Sequence, residues 1–354
     1  MYNFTVKSSI HDYEVLFIDG TKKTLQEVLK KGDVIIIDRK VQDLYKTDLE
    51  ETLNNYYHIS IDANEKQKSY QGAMPVIQEL IDNGFRKNHR LIAIGGGITQ
   101  DLTAFMASIL YRGVDWYFFP TSLLAQGDSC IGSKTSINFN QYKNQVGGFY
   151  PPNKIFINTA FLNTLSLPEL KSGLGEMLHY FIVSGEEDFR RFKNDYPFAL
   201  KDKEVLKGII ARSLAIKKSY IEIDEFDKKE RQVFNYGHTF GHAIESLTNY
   251  RIPHGIAVSY GMDMANFISV KKGYIPETVR DDVRELVQQI WEGAHITDIS
   301  LDTYITALSK DKKNVDTRLG LILSKGLGKI FKDLTPPDDT FKSWLKEYFD
   351  TQLN

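Results

Sequence analysis

Four β-branched residues in a row, Val34-Ile35-Ile36-Ile37, followed by Asp38, set the first limit on the fold. Side chains along a strand alternate between faces, so a run without a polar position needs cover on both sides. That is the mark of a parallel strand buried in an α/β layer structure, here ending in an acid. An acid at such a strand end can meet a ribose hydroxyl in a dinucleotide-binding fold, or it can serve the turn. Residues 64 to 86 then read as an amphipathic helix whose inward stripe is Ala73, Val76, Ile77, Leu80 and Ile81. Next, Leu91-Ile-Ala-Ile runs through Gly95, Gly96 and Gly97 into a helix carrying Asp101. Glycines at a strand-to-helix turn let the backbone approach a pyrophosphate, and the first helical turn offers free N–H groups. The spacing is not G-x-G-x-x-G, and a tight turn would use the same glycines.

A further strand, Val114 to Phe119, ends at Pro120-Thr121, and the polar segment from Asp128 through Lys134 to Asn138 reads as a loop. Lys143-Asn144 follows, then the strand Lys154 to Asn158. A loop that mixes an acid, lysines and small residues suits a phosphorylated polyol, and it suits a solvated surface equally. Cys130 reads as a small packing residue. Beyond Asn158 the periodicity turns helical. Pro168 and Glu169 fit a first helical turn, and Ser172, Glu176 and His179 share one face of that helix. Helices are also expected over 204–224, which holds Lys217, and over 257–269 and 281–291. The lysine run 310–313 reads as a solvated turn before a hairpin that starts near Arg318. A chain of 354 residues is long for one core. The expected architecture is therefore an α/β, Rossmann-like domain over 1–165 and a mostly α-helical domain over 166–354.

The chemistry concentrates late in the chain. Four of its eight histidines, His179, His238, His242 and His254, fall between 179 and 254. On a continuous helix Arg231, Asn235, His238 and His242 would stand at i, i+4, i+7 and i+11, giving one stripe of a guanidinium, an amide and two imidazoles. His238 and His242, with His254 and a carboxylate, would suit a divalent metal that keeps an open position. Alternatively the imidazoles bind an anion, with Arg231, Lys134, Lys143 and Lys312 as further positive groups. One pocket can serve both uses. A net charge of −2 and a pI near 6.5 exclude a global attraction to nucleic acid or an anionic membrane. The single cysteine excludes an intramolecular disulfide and suits a reducing compartment. The first residues lack the basic start and apolar run of a signal peptide, and no stretch of about 18 apolar residues occurs. A cytoplasmic protein is expected, with no nucleic-acid or membrane partner.

Several runs together resemble the 3-dehydroquinate synthase family within the sugar phosphate cyclases. They include Gly95-Gly-Gly-x-x-x-Asp101, Tyr111-Arg112-Gly113, Pro120-Thr121-x-Leu-Leu-Ala125, Asp128-Ser-x-x-Gly-x-Lys134-Thr and Lys143-Asn144. Downstream stand Ser172-Gly-Leu-x-Glu176, His254-Gly, Asp311-Lys-Lys313 and, most specific, Arg231-x-x-x-Asn235-x-Gly-His238-Thr-Phe-Gly-His242-Ala-Ile-Glu245. The likeness runs from about residue 35 to 325.

The resemblance implies NAD in the first domain, zinc or cobalt in the second, and a homodimer. It assigns the metal to Glu176, His238 and His254, and makes His242 a phosphate contact instead of the partner of His238. Asp38, Gly95, Gly96, Gly97, Asp101, Thr121, Lys143, Phe161, Thr164, Leu165 and Glu169 would line the NAD site. Lys217 and Arg231 would face a substrate carboxylate. Asp128, Lys134, Asn144, Asn235, His242 and Lys312 would surround the remainder of a phosphorylated sugar acid, with His179 in the place of a family lysine that contacts a substrate hydroxyl near the metal and Arg112 supplied by the neighbouring subunit. The implied reaction is cyclisation of a seven-carbon 2-keto sugar acid phosphate with loss of phosphate. A cyclase of another substrate, such as sedoheptulose 7-phosphate, a metal-dependent polyol dehydrogenase and a silent NAD-binding protein are the alternatives. The family pattern has a lysine where this chain has His179, glycines where it has Ser133 and Ser136, and a small residue where it has Gln100. Retention of both Lys217 and Arg231 favours an acid substrate.

Overall fold

The computed structural model describes residues 2–140, 142–296, 299–309, 314 and 316–352. The chain divides into two compact units, one of Met1–Leu165 with Lys217–Phe226, the other of Ser166–Ile216 with Asp227–Asn354.

The first unit is built on a seven-stranded sheet. Its strands are β1 (Phe4–Val6), β2 (Tyr13–Phe17), β3 (Val34–Asp38), β4 (His58–Ile61), β5 (Leu91–Gly95), β6 (Trp116–Pro120) and β9 (Lys154–Ile157), in the spatial order β1-β2-β9-β6-β5-β3-β4. All neighbours are parallel except β1 and β2. The helices α1 (Thr21–Val28), α2 (Arg39–Leu44), α3 (Lys46–Asn55), α4 (Tyr70–Asp82) and α5 (Gly97–Ile109) intervene. The four apolar residues of β3 are buried on both faces: Ile35 and Ile37 pack with Leu25, Ile94, Phe119 and Phe156, while Ile36 and Ala93 are covered on the other side. Each such isoleucine contributes on the order of 2 kcal/mol by leaving water. The register that sets Ile37 beside Ile94 and Gly95 beside Pro120 lines up Asp38, the glycine turn and Thr121 along the carboxyl edge of the sheet. In open α/β sheets that edge is where ligands bind.

Two local expectations change. The helix expected over 64–86 begins only at Tyr70, behind a Ser69 cap whose Oγ accepts from Gly72 N at 3.2 Å, and Ile81 in its last turn is 47% exposed. The buried stripe stops at Leu80 because the helix ends at Asp82. The segment from Asp128 is not a loop. A π-helical turn over Ala125–Ser129 leads into β7 (Lys134–Phe139), which pairs antiparallel with β8 (Tyr142–Phe149). Thr135 and Ile137 are buried while Lys134 is exposed, a period-two alternation that the polar composition conceals.

The second unit is helical apart from one hairpin. It contains α6 (Leu167–Ser184), α7 (Glu186–Ala199), most of α8 (Lys203–Ile221), α9 (His238–Leu247), α10 (His254–Lys271), α11 (Glu277–Trp291), α12 (Leu301–Ser309) and α13 (Asp339–Gln352), with β10 (Leu319–Ser324) paired antiparallel to β11 (Ile330–Thr335). From Gly255 to Ser269 every residue of α10 is buried, so this helix is the axis of the unit. It packs on α6, α9, α11 and β10. Two glycines allow the closest crossings. A Cβ on Gly255 would run into the Ser172 carbonyl of α6, and one on Gly261 into the Gly237 carbonyl before α9. No helix among the described residues is long and apolar enough to cross a membrane.

Candidate metal centre and anion-binding residues

The stripe expected from Arg231 to His242 is interrupted. Arg231 and Asn235 lie on a 3-10 turn, Glu230–Asn235, and α9 starts afresh at His238 after Gly237, whose φ of +81° is left-handed. A side chain there would also meet the Val258 carbonyl and Met262, so the break is fixed by packing against α10. Arg231 is buried, His242 is exposed, and Asn235 Nδ2 donates to Gln232 O at 3.1 Å.

Three helices nevertheless converge. Glu176 of α6 is 3% exposed. Its Oε1 lies 3.2 Å from His238 Nε2 at the start of α9, and its Oε2 lies 3.3 Å from His254 Nε2 at the start of α10. His242 joins from the next turn of α9: His238, His242 and His254 each have a ring nitrogen within 4.8 Å of the others. The far sides of two rings are held. His254 Nδ1 donates to Glu245 Oε2 at 3.1 Å, and His238 Nδ1 faces the Tyr236 carbonyl at 3.3 Å. A neutral imidazole that donates through Nδ1 is left with a bare Nε2, the arrangement that carboxylate- or carbonyl-backed metal ligands use.

Charge in this cluster is mutual. Burial would raise the pKa of Glu176, but His238 and His254 hold it well below the usual carboxylate range. Burial would lower that of His254, but Glu176, and then Glu245, lift it well above the usual imidazole value. The cluster therefore stabilises positive charge, whether carried by protons or by a cation. The donor set fits a divalent metal. Ligand atoms about 2.0–2.1 Å from a tetrahedral zinc stand about 3.3 Å apart; each Glu176 oxygen lies at about that distance from one Nε2, Oε1 from His238 and Oε2 from His254, and the ring nitrogens of His238, His242 and His254 converge as a second donor set.

In the first unit the residues singled out from the sequence fall into two groups. Around the glycine turn, Thr121 N donates to Gly95 O at 2.9 Å, and Asp38 caps α2 by accepting from Lys40 N at 2.9 Å. Asp101 is paired with Lys68 Nζ at 2.5 Å and accepts from Ser136 N at 3.3 Å; burial nonetheless keeps its pKa above the ordinary aspartate value. Tyr45 donates to Phe161 O at 2.9 Å and stands 3.0 Å from Thr164 Oγ1, with Leu165 next in sequence. Along the hairpin, Asn144, at φ +54°, accepts from Lys68 Nζ at 2.7 Å, Lys143 pairs with Glu65 at 3.1 Å, and Lys134 is exposed. Lys217 Nζ is held by Asp128, at 2.7 Å from Oδ1 and 2.8 Å from the carbonyl. Arg112 is exposed on a 3-10 turn with left-handed φ. Lys312 lies outside the described residues. In the second unit Glu169 caps α6, accepting from Ser166 N at 2.7 Å. Cys130 is buried, its thiol pushed up to about 12 by burial, which fits a packing residue.

Lys68 escaped the sequence reading. It stands in a run of charged residues, Glu65-Lys-Gln-Lys68, that looks like a solvated helix start, yet it is buried and bridges Asp101 and Asn144. Glu245 escaped as a partner of His254, although its place at i+7 from His238 puts it on the same side of α9.

Comparison with known proteins finds matches in both halves of the chain. The family model for the 3-dehydroquinate synthase N-terminal part matches residues 58–172, and that for the C-terminal part matches 173–314. A 3-dehydroquinate synthase from Thermoanaerobacter pseudethanolicus is 34% identical over 339 residues, covering 92% of this chain and 94% of its own. Two solved sugar phosphate cyclases share the fold at 22% identity. One is 2-deoxy-scyllo-inosose synthase complexed with carbaglucose-6-phosphate, NAD+ and Co2+, with a TM-score of 0.84 and 98% of each chain covered. The other is 2-epi-5-epi-valiolone synthase from Streptomyces hygroscopicus subsp. jinggangensis 5008 with NAD+ and Zn2+ bound, with a TM-score of 0.85, covering 98% of this chain and 99% of its own. With the sequence match extending over nine-tenths of its length, the chain belongs to the 3-dehydroquinate synthase family.

Proposed function

We propose that this protein is an NAD- and divalent-metal-dependent cyclase that converts a phosphorylated seven-carbon 2-keto sugar acid into a carbocycle with loss of phosphate, the reaction of 3-dehydroquinate synthase. The observation that carries the reading is the Glu176 carboxylate set between the Nε2 atoms of His238 and His254 at metal-ligand spacing, in a chain of this family. Glu176, His238 and His254 hold the metal, zinc or cobalt. When bound, the metal supplies Lewis-acid stabilisation of a developing alkoxide, and NAD accepts and later returns the hydride.

The chain's own groups supply position and charge. Asp38, Gly95 to Gly97, Asp101, Thr121, Lys143, Phe161, Thr164, Leu165 and Glu169 bind NAD, the glycines by presenting backbone N–H groups at the start of α5. Lys217 and Arg231 recognise the substrate carboxylate, and the Asp128 contact keeps the Lys217 ammonium in one place. His242, Asn235, Lys134, Asn144 and Lys312, with Arg112 of a second subunit in a homodimer, receive the phosphate and hydroxyl groups. Holding the phosphate by several cations orients it for departure and lets one of its own oxygens take the proton from the carbon made acidic by oxidation.

The test is phosphate release by protein loaded with NAD and zinc or cobalt. Expected is release from the seven-carbon 2-keto sugar acid phosphate, with no net NADH. No release from that substrate rejects the proposal. Release from sedoheptulose 7-phosphate instead would make the chain a cyclase of a different substrate, and NADH accumulating with an unphosphorylated polyol would make it a dehydrogenase.

A further inference from the structure

Each side chain assigned to the metal has a neighbour behind it. His254 has the Glu245 carboxylate and His238 has the Tyr236 carbonyl, both acceptors that hold Nδ1. The third, Glu176, needs the opposite kind of support, a donor, because a carboxylate that binds a metal through one lone pair remains free to rotate unless another hydrogen bond fixes it. The group in place for that work is His179, one turn further along α6. It is 1% exposed, and its Nδ1 lies 3.8 Å from Glu176 Oε1, the oxygen that also faces His238. The ring is confined by Tyr180 at 3.9 Å between centroids, by Phe234 at 5.8 Å and by His238, edge-on, at 5.3 Å. A small rotation of either side chain within that enclosure brings Nδ1 to hydrogen-bond distance, whereas His242, the other nearby imidazole, is exposed and sits in the next turn of α9.

We infer that His179 is a positioning residue of the metal centre: its Nδ1–H donates to Glu176 Oε1 and fixes the ligand carboxylate, and His179 is not itself a ligand. This rests on the metal reading above, and the test separates the two. Cobalt affinity is measured by chelator competition on the full-length protein without NAD or substrate, together with the visible absorption of bound cobalt and the unfolding midpoint of the metal-free protein. His179→Leu keeps the volume and removes the donor. His179→Asn keeps an N–H donor at the δ position.

Expected is a loss of about 10–100-fold in cobalt affinity for His179→Leu, with His179→Asn within about threefold of the parent protein and all spectra of one coordination type. His179→Met replaces His179→Leu should the latter not fold. If the parent protein takes up cobalt and His179→Leu binds it equally well, the inference is overturned and the metal centre stands. A folded His179→Asn as weak as His179→Leu overturns it too. A change of coordination spectrum in both variants would make His179 a ligand and overturn the positioning role. A parent protein that binds no cobalt removes the metal centre and this inference together.

Discussion

Helix α10 carries Asp263 near its middle and His254 at its start, and the charged clusters around the two close in opposite ways. At Asp263 the surroundings are complete. Arg280 donates from Nε and Nη2 at 3.1 and 3.2 Å, Arg284 donates as well, and Tyr348 donates its hydroxyl at 2.7 Å. Both arginines also reach Gln352, so α10, α11 and α13 are tied through one buried carboxylate. At His254 the convergent atoms are two Nε2 atoms and a carboxylate, all of them electron-pair donors once the imidazoles lose a proton. The first cluster asks nothing of the solvent. The second is complete only with protons or a cation in it. The contrast teaches that burial of charge does not by itself mark a functional site; the sign and direction of the converging atoms do.

The largest effect that could break this comparison lies in the closed cluster. Asp263→Ala leaves two guanidinium groups and a phenol without their acceptor, and should cost about 3–5 kcal/mol of stability in urea unfolding, with cobalt uptake per folded molecule unchanged. Glu176→Gln should behave in the reverse manner. It leaves a folded protein whose cobalt affinity drops at least about 100-fold by chelator competition, because the carboxylate proposed as a ligand has lost its charge. Equal loss of fold in both variants would erase the distinction between the clusters.

Smaller effects sharpen it. Glu245→Ala removes the acceptor that orients His254 and should weaken cobalt binding by about 10–100-fold, again without unfolding. Asp333 gives a control far down the scale. Burial would raise its pKa, but Lys272, Thr335 and Tyr274 hold it below the ordinary aspartate range. A depressed carboxylate contributes stability that is present above the unfolded pKa, near pH 4, and is lost as pH falls through the folded value. Asp333→Asn should therefore cost on the order of 1 kcal/mol at pH 7 and progressively less below about pH 4, as read from unfolding curves at several pH values.

What could be read from the sequence follows from which signals are local. The β3 run and the strand-glycine-helix passage at Leu91 to Asp101 state their structure within a few residues, and the α/β unit follows from them. The clustering of histidines between 179 and 254 pointed to one region of chemistry. Spacing alone joins His238 to His242, and the structure brings both together with His254; a helical period does not say which carboxylate joins them, because Glu176 lies on α6. Glu176 and His254 arrive through the close helix crossings at Gly255 and Gly261, which look like ordinary glycines in a helical stretch. The left-handed Gly237 broke a stripe that periodicity drew as continuous. Lys68 was hidden because its partners, Asp101 and Asn144, are distant in sequence.

The central claim is that the cluster at the start of α10 is an open donor set for one divalent ion, and cobalt titration of the purified, chelator-stripped protein tests it most directly. One equivalent should bind, with a visible absorption spectrum of nitrogen and oxygen ligation that Glu176→Gln abolishes. A protein that takes up no cobalt, or takes it up unchanged after Glu176→Gln, would contradict the account.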